Sequence, residues 1–256
     1  MRRIAVFLFV LLIACGATLQ AQQPRFHVLA FYTEKTEADH VDFARQALTF
    51  FAAEAKHDNF AWQATTNWDD LNAANLQKYQ LVVWLNDSPH VDAQRAAFEQ
   101  YMKHGGAWVG FHFAGYNDES THWPWFVSDF LDAVFLTNSW PPLPATLVVE
   151  DRNHPVTRGL PETFLSPANE WYIWKPDPRA NKDIHVLLSL SPSNYPLGMK
   201  DTLTGGDLPV VWTNTRYKML YCNMGHGDKI FTSDTQNQLF RNAILWLGEA
   251  PKTPQH

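Results

Sequence analysis

The chain has 256 residues, a length that suits one sizeable domain, and 46% of them are apolar, enough for a substantial core. Charged residues are only 18% of the total and the formal net charge is −6, which argues against nucleic acid as the main partner, because phosphate binding needs a basic face. The 11 tryptophans suit an aromatic core and equally a site that stacks on sugar rings.

Met1–Arg3 is a short basic segment, and Ile4–Ala14 is an apolar run of secretory-signal length, too short to span a membrane comfortably. Residues 1–21 are therefore expected to be a signal, with cleavage after Ala21 and an exported, periplasmic or extracellular product. Alternatively Leu12–Cys15, LIAC, resembles a bacterial lipoprotein box, in which case a lipidated Cys15 would anchor the chain to a membrane. Cys222 is then the one cysteine left in the mature domain, so no intrachain disulfide is expected, although export would permit one.

Phe26–Phe31 reads as a first strand. A helix is predicted from Asp39, a plausible N-cap, to about Lys56, with Val41, Ala44, Leu48, Phe51 and Ala55 at helical spacing. Phe60–Thr65 is a candidate second strand. Gln80–Leu85, QLVVWL, is an apolar run of the fully buried kind found in parallel sheets. Residues 92–106 read as a helix ended by glycine, and Ala107–His112 as the next strand. This alternation predicts a doubly wound, mostly parallel α/β sheet. The middle, Tyr116–Pro144, is loop-rich and aromatic, with a helix-like piece at 123–135. Thr146–Glu150, His185–Leu190, Pro209–Thr213 and Met219–Met224 are strand-like, and a last helix is predicted over Thr235–Leu247. Without an obvious linker, residues 25–249 read as one domain and 250–256 as a flexible tail.

In open α/β sheets, ligands bind beyond the carboxyl ends of the strands. The predicted strand ends are followed by Tyr32, Glu34 and His40; by Asn86, Asp87 and His90; by His112, Tyr116, Asp118 and His122; and by His226 and Asp228 in the loop MGHGD. Several strand ends thus deliver imidazole to one rim. The turn GFHFAG is of the kind that lifts a Ser or Cys nucleophile in some α/β enzymes, yet it holds His112. Thiolate amidotransferase chemistry and serine hydrolysis are both excluded there. An imidazole is better suited to moving protons or holding a metal.

The ordered set GGAWVGFHFAG (105–115), HPVTRGLP (154–161), NEWY (169–172), LPVVWT (208–213) and MGHG (224–227) resembles the ThuA-like, trehalose-utilisation family over roughly residues 26–249. The resemblance implies a flavodoxin-like fold of the class I glutamine amidotransferase type without the amidotransferase cysteine, and an involvement with sugars, with action on oxidised (3-keto) sugars or glycosides. By position it implies functional roles for His112, Glu170 and His226, and His40 matches a histidine common near the first helix. The chain departs from the family pattern in having TRYKM where a Gly-Lys-Gly-Arg turn is frequent, and Asn138 where a histidine commonly follows the middle segment.

On this basis His112, Glu170 and His226 are the expected catalytic set, acting as acid, base and orienter or holding one divalent metal, zinc or similar. His40, Asp87, Tyr116, His122 and Trp171 are expected to line the substrate pocket. No nucleotide cofactor is expected. The partner is a small sugar or glycoside, transformed by isomerisation, elimination or hydrolysis. The alternative is a non-catalytic sugar-binding or envelope scaffold protein on the same fold.

Overall fold

The computed structural model describes residues 23–118, 120–194 and 208–249; the predicted signal 1–21, Cys15 and the tail 250–256 lie outside the described residues. In chain order the first half contains β1 (His27–Phe31), α1 (Ala38–Asp58), β2 (Ala61–Thr65), the short α2 (Ala73–Leu76), β3 (Leu81–Trp84), α3 (Asp92–Lys103) and β4 (Ala107–Phe111). The second half contains β5 (Phe135–Asn138), β6 (Leu143–Val149), β7 (Thr163–Asn169), β8 (Tyr172–Trp174), β9 (Ile184–Leu190), β10 (Pro209–Asn214), β11 (Tyr217–Cys222) and α4 (Asp234–Glu249).

Nine strands form one sheet in the order β2-β1-β3-β4-β11-β10-β9-β6-β7. The strands from β2 to β11 in that order run parallel, and the remainder is added antiparallel. The doubly wound α/β expectation therefore holds, with an antiparallel wing. Strand alternation explains the two layers. Val28, Ala30, Leu81, Val83, Val109, Phe111, Leu220 and Cys222 face α1 and α4, packing against Phe43, Ala47, Phe51, Phe240 and Ile244. Their neighbours Leu29, Phe31, Val82, Trp84, Trp108, Met219 and Tyr221 face α2 and α3, together with Phe98 and Met102. Both faces are covered, which is why β3 and β4 are apolar throughout.

The second layer accounts for many of the tryptophans. Trp68, Trp84, Trp108, Trp123, Trp174 and Trp212 all lie in it, with edge-on contacts such as Trp84–Trp108 at 5.3 Å between centroids. Trp171 belongs to the opposite layer.

Three local expectations need correction. Asp39 is not the N-cap: α1 begins at Ala38 with Glu37 in the cap position, and Glu37 makes no side-chain cap bond. Asp39 instead lies in the first turn, where a carboxylate meets the positive end of the helix. The helix-like piece at 123–135 is shorter than expected, covering 124–130 and ending in a π turn, Phe126–Phe130, before β5. Its aromatic side chains are drawn into the second layer, and Phe135–Asn138 pairs antiparallel with β8. Finally, β7, TFLSPAN, carries no strand signature in the sequence because Pro167 interrupts it, and its Leu165 is exposed. It is one of the two edge strands of the sheet, a position at which proline is tolerated.

Candidate functional site

The turn after β4 carries His112 at φ +43°, a left-handed conformation that costs a non-glycine residue about 1–3 kcal/mol. Tyr221 donates its hydroxyl to the His112 carbonyl at 3.0 Å. That reach depends on Gly115, because a Cβ there would lie 2.3 Å from the Tyr221 ring. The His112 Nδ1–H donates to the Asn223 carbonyl at 2.8 Å, and a carbonyl requires a donor, so Nε2 is the nitrogen with the lone pair. That Nε2 lies 3.4 Å from Glu170 Oε2, and the ring packs on Tyr172 at 4.1 Å.

Three further elements converge on it. In the loop beyond β11, Gly225 approaches His112 so closely that a Cβ would sit 2.6 Å from His112 Cβ. The next residue, His226, lies with its Nε2 3.9 Å from the same Glu170 oxygen. His40, in the first turn of α1, stands 5.3 Å from His112 and 5.0 Å from His226 between ring centroids. Glu170 occupies the link between β7 and β8.

Asparagines hold this assembly. Asn169 Oδ1 accepts from the backbone N–H groups of Gly225 and His226 at 3.0 and 3.1 Å, and Asn169 Nδ2 donates to the Glu170 carbonyl at 2.8 Å. Asn223 Oδ1 accepts from the Tyr172 N–H at 3.2 Å. Asn138 donates its amide to Glu170 Oε1, leaving Oε2 toward the imidazoles. Asn86 donates to the His40 carbonyl at 3.2 Å.

The side chains of His40, His112 and His226 are 5%, 0% and 0% exposed. Burial, helped by His112 and His226, lowers His40 from its ordinary 6.5 to about 2; burial and His226 push His112 well below 6.5. Both imidazoles are therefore neutral and have lone pairs to offer. Both nitrogens of His40, both of His226 and Nε2 of His112 are buried and find no hydrogen-bond partner among the described residues. Burying that many unsatisfied polar atoms is costly, about 1–3 kcal/mol each. Each of His40, His112, Glu170 and His226 offers one ligand atom, all within 4.8 Å of one another, so this group can hold a metal ion. Two more carboxylates face His226: Glu37 Oε1 is 3.7 Å from Nε2 and Asp39 Oδ2 is 3.7 Å from Nδ1.

His112, Glu170 and His226 are thus brought together, and His40, expected in the substrate pocket, joins them as a fourth member. Tyr116 stands close by, stacked on Phe113 at 5.4 Å, which in turn contacts His40 at 4.9 Å. Asp87 pairs with His90 Nε2 at 3.0 Å and His122 is exposed, and neither is among the clustered ligand groups. Trp171 is a fully buried core residue whose indole donates to the Leu143 carbonyl at 2.9 Å, so it offers no surface to a ligand. Glu37, Asp39, Asn169 and Asn223 were not anticipated. A usable signal for the first two was their spacing, three and one residues before His40 in EADH. Asn169 directly precedes Glu170, and Asn223 lies three residues before His226.

A solved structure, a putative ThuA-like protein from Bacteroides uniformis, is 51% identical, with a TM-score of 0.85 over 90% of this chain and 94% of that one. Fold-level likeness extends to a putative GMP synthase protein from Thermoplasma acidophilum, 10% identical with a TM-score of 0.54 over 87% and 94% of the two chains. The glutaminase domain of CTPS from Trypanosoma brucei is 8% identical with a TM-score of 0.53 over 90% and 97%. Those two establish a glutamine amidotransferase-like fold and nothing about chemistry. No curated protein matches the chain. The trehalose utilisation model, ThuA, matches residues 27–247, and on that match the chain belongs to the ThuA family.

Proposed function

We propose that the protein binds one divalent metal, zinc or a similar ion, through His40, His112, Glu170 and His226, and acts on an oxidised (3-keto) sugar or glycoside. The observation that carries this reading is the set of unpartnered, buried imidazole nitrogens around one carboxylate oxygen. Neutral imidazoles and a carboxylate suit zinc and its neighbours among the transition metals. When bound, such an ion supplies Lewis-acid polarisation of a carbonyl or hydroxyl oxygen.

The residues themselves divide the remaining work. The Asn223 carbonyl fixes the His112 tautomer, and Asn138 fixes the Glu170 rotamer. In a 3-keto glycoside the carbonyl acidifies the hydrogen at the adjacent carbon. A carboxylate of the site takes that proton while the electron pair moves toward the carbonyl. Returned to the same carbon from the opposite face, that proton gives the epimer; in elimination the electron pair forms a double bond to the next carbon as its bond to the glycosidic oxygen breaks, and the proton passes to the departing oxygen. Neither route needs a covalent enzyme intermediate, which agrees with an imidazole at the turn where a nucleophile would stand. The sugar class is supported by family membership. Export is supported by the basic and apolar N-terminal segment.

A second reading, a structural metal centre in a non-catalytic sugar-binding protein, is favoured by the near-complete burial of the three imidazoles. Four protein ligands close a tetrahedral site.

Elemental analysis of protein purified without chelator, wild type beside His226→Ala, tests the proposal. We expect near-stoichiometric metal that is lost in the variant. Wild type that takes up no metal after incubation with Zn²⁺, Co²⁺ or Mn²⁺ refutes it. With metal present, turnover of 3-keto glycosides that vanishes in Glu170→Gln separates catalysis from a structural centre.

A further inference from the structure

Zinc expands from four to five ligands, so with four protein ligands in place catalysis at this site requires a fifth position that exchanges. Glu37 is placed to provide it. It precedes α1 in the N-cap position with φ −52° and ψ 143°, yet its side chain makes no cap bond. Its carboxylate instead lies at the edge of the cluster, where Oε1 is 3.7 Å from His226 Nε2 and Oε2 is 3.9 Å from His40 Nδ1, and with Asp39 and His226 it forms a second, overlapping group of possible ligands. His226 Nε2 therefore stands between two carboxylates. Glu170 is 13% exposed and tethered by Asn138, whereas Glu37 is 54% exposed and, among the described residues, its carboxylate accepts no hydrogen bond. The positive end of α1 favours its negative charge without locking its orientation.

We propose that Glu37 is the exchangeable carboxylate of the centre: it covers the buried cluster from the solvent side in the resting protein and yields its place to an incoming carbonyl, hydroxyl or carboxylate oxygen. This rests on the metal reading above. Glu37 competes with small oxygen ligands, so it lowers their apparent affinity by the fraction of molecules in which it is seated. It would thereby exclude adventitious anions and admit a ligand that also gains contacts elsewhere, such as a polyhydroxylated ring against Tyr116 and Phe113.

The test uses the full mature protein loaded with Co²⁺, whose visible absorption reports the number and kind of ligands, and acetate as the probe oxygen ligand. Glu37→Gln is compared with wild type and with Asp228→Asn, which removes an exposed carboxylate paired with Lys229 in the same loop as His226. Glu37→Gln is expected to keep the Co²⁺ stoichiometry, to show a displaced spectrum, and to bind acetate about tenfold more tightly than wild type, as loss of an internal competitor requires. Asp228→Asn should match wild type. Wild-type spectrum and acetate affinity in Glu37→Gln overturn the proposal. So does an equal gain in Asp228→Asn, which would mark a general charge effect, and so does loss of Co²⁺ from Glu37→Gln, which would make Glu37 an obligatory ligand. If wild type itself takes up no Co²⁺, the metal reading has failed, a result distinct from any failure specific to the variant.

Discussion

His112 stands at φ +43° because the packing around it over-determines the turn: Tyr221 holds its carbonyl, Asn223 holds its Nδ1, and Gly225 presses against its Cβ. The same logic applies to Glu170. One oxygen is bound by Asn138 and the other faces His112 and His226, so the carboxylate is aimed before any ligand arrives. Removing that tether should loosen the aim without removing a ligand. Asn138→Ala is predicted to bind metal about 10–100-fold more weakly while keeping its stoichiometry at saturating ion, measured by competition with a chromophoric chelator. Unchanged affinity would show that the Asn138 contact does not orient the carboxylate.

At the scale of elements, the site is the meeting of two adjacent parallel strands with two flanking segments. β4 and β11 are hydrogen-bonded neighbours, with Phe111 opposite Cys222, so the residues just beyond them, His112 and the NMGH stretch, emerge side by side. The close approach of their continuations requires glycine at 225. Gly225→Ala is predicted to destabilise the fold by about 1–3 kcal/mol through overpacking against His112, and to weaken metal binding as His112 is displaced. Chemical denaturation and metal titration of the variant check both effects. If both match wild type, the contact has no energetic weight. From the other side, α1 contributes His40 with Glu37 and Asp39, and the β7–β8 link contributes Glu170. Asn169, the last residue of β7, reaches the backbone of the loop beyond β11 and ties the antiparallel wing to the parallel core.

At the scale of the molecule, two buried histidines with lowered pKa values make stability depend on pH. The unfolded chain binds protons at both below about 6.5, and the folded chain does not until far lower, near 2 for His40. Protons are therefore taken up on unfolding in that window, and stability is present above pH 6.5 and falls as the pH drops below it. The slope approaches about 1.4 kcal/mol per pH unit for each histidine. Urea unfolding of the chelator-treated protein at pH 7.5, 6.0 and 5.0 should show this loss. A flat profile would mean that the imidazoles are not desolvated as described.

The parallel half of the fold was readable because strands covered on both faces are written as short apolar runs, such as LVVW and AWVGF, and helices as spaced apolar positions. The antiparallel wing was less so. β5, β7 and β8 are short or carry proline, and they are strands because partners pair with them, a tertiary cause that leaves a weak local pattern. Residue order alone was enough for the α/β class, for the imidazole at the turn after β4, and for His112 and His226 as candidates beyond strand ends. Resemblance added Glu170. It took the folded chain to show that His40 joins them, that Asp87, His122 and Trp171 do not, and that Glu37 and Asp39 face the cluster. Those outcomes depend on which strands are neighbours and how α1 is seated, and strand order is set by long-range packing among residues far apart in the chain.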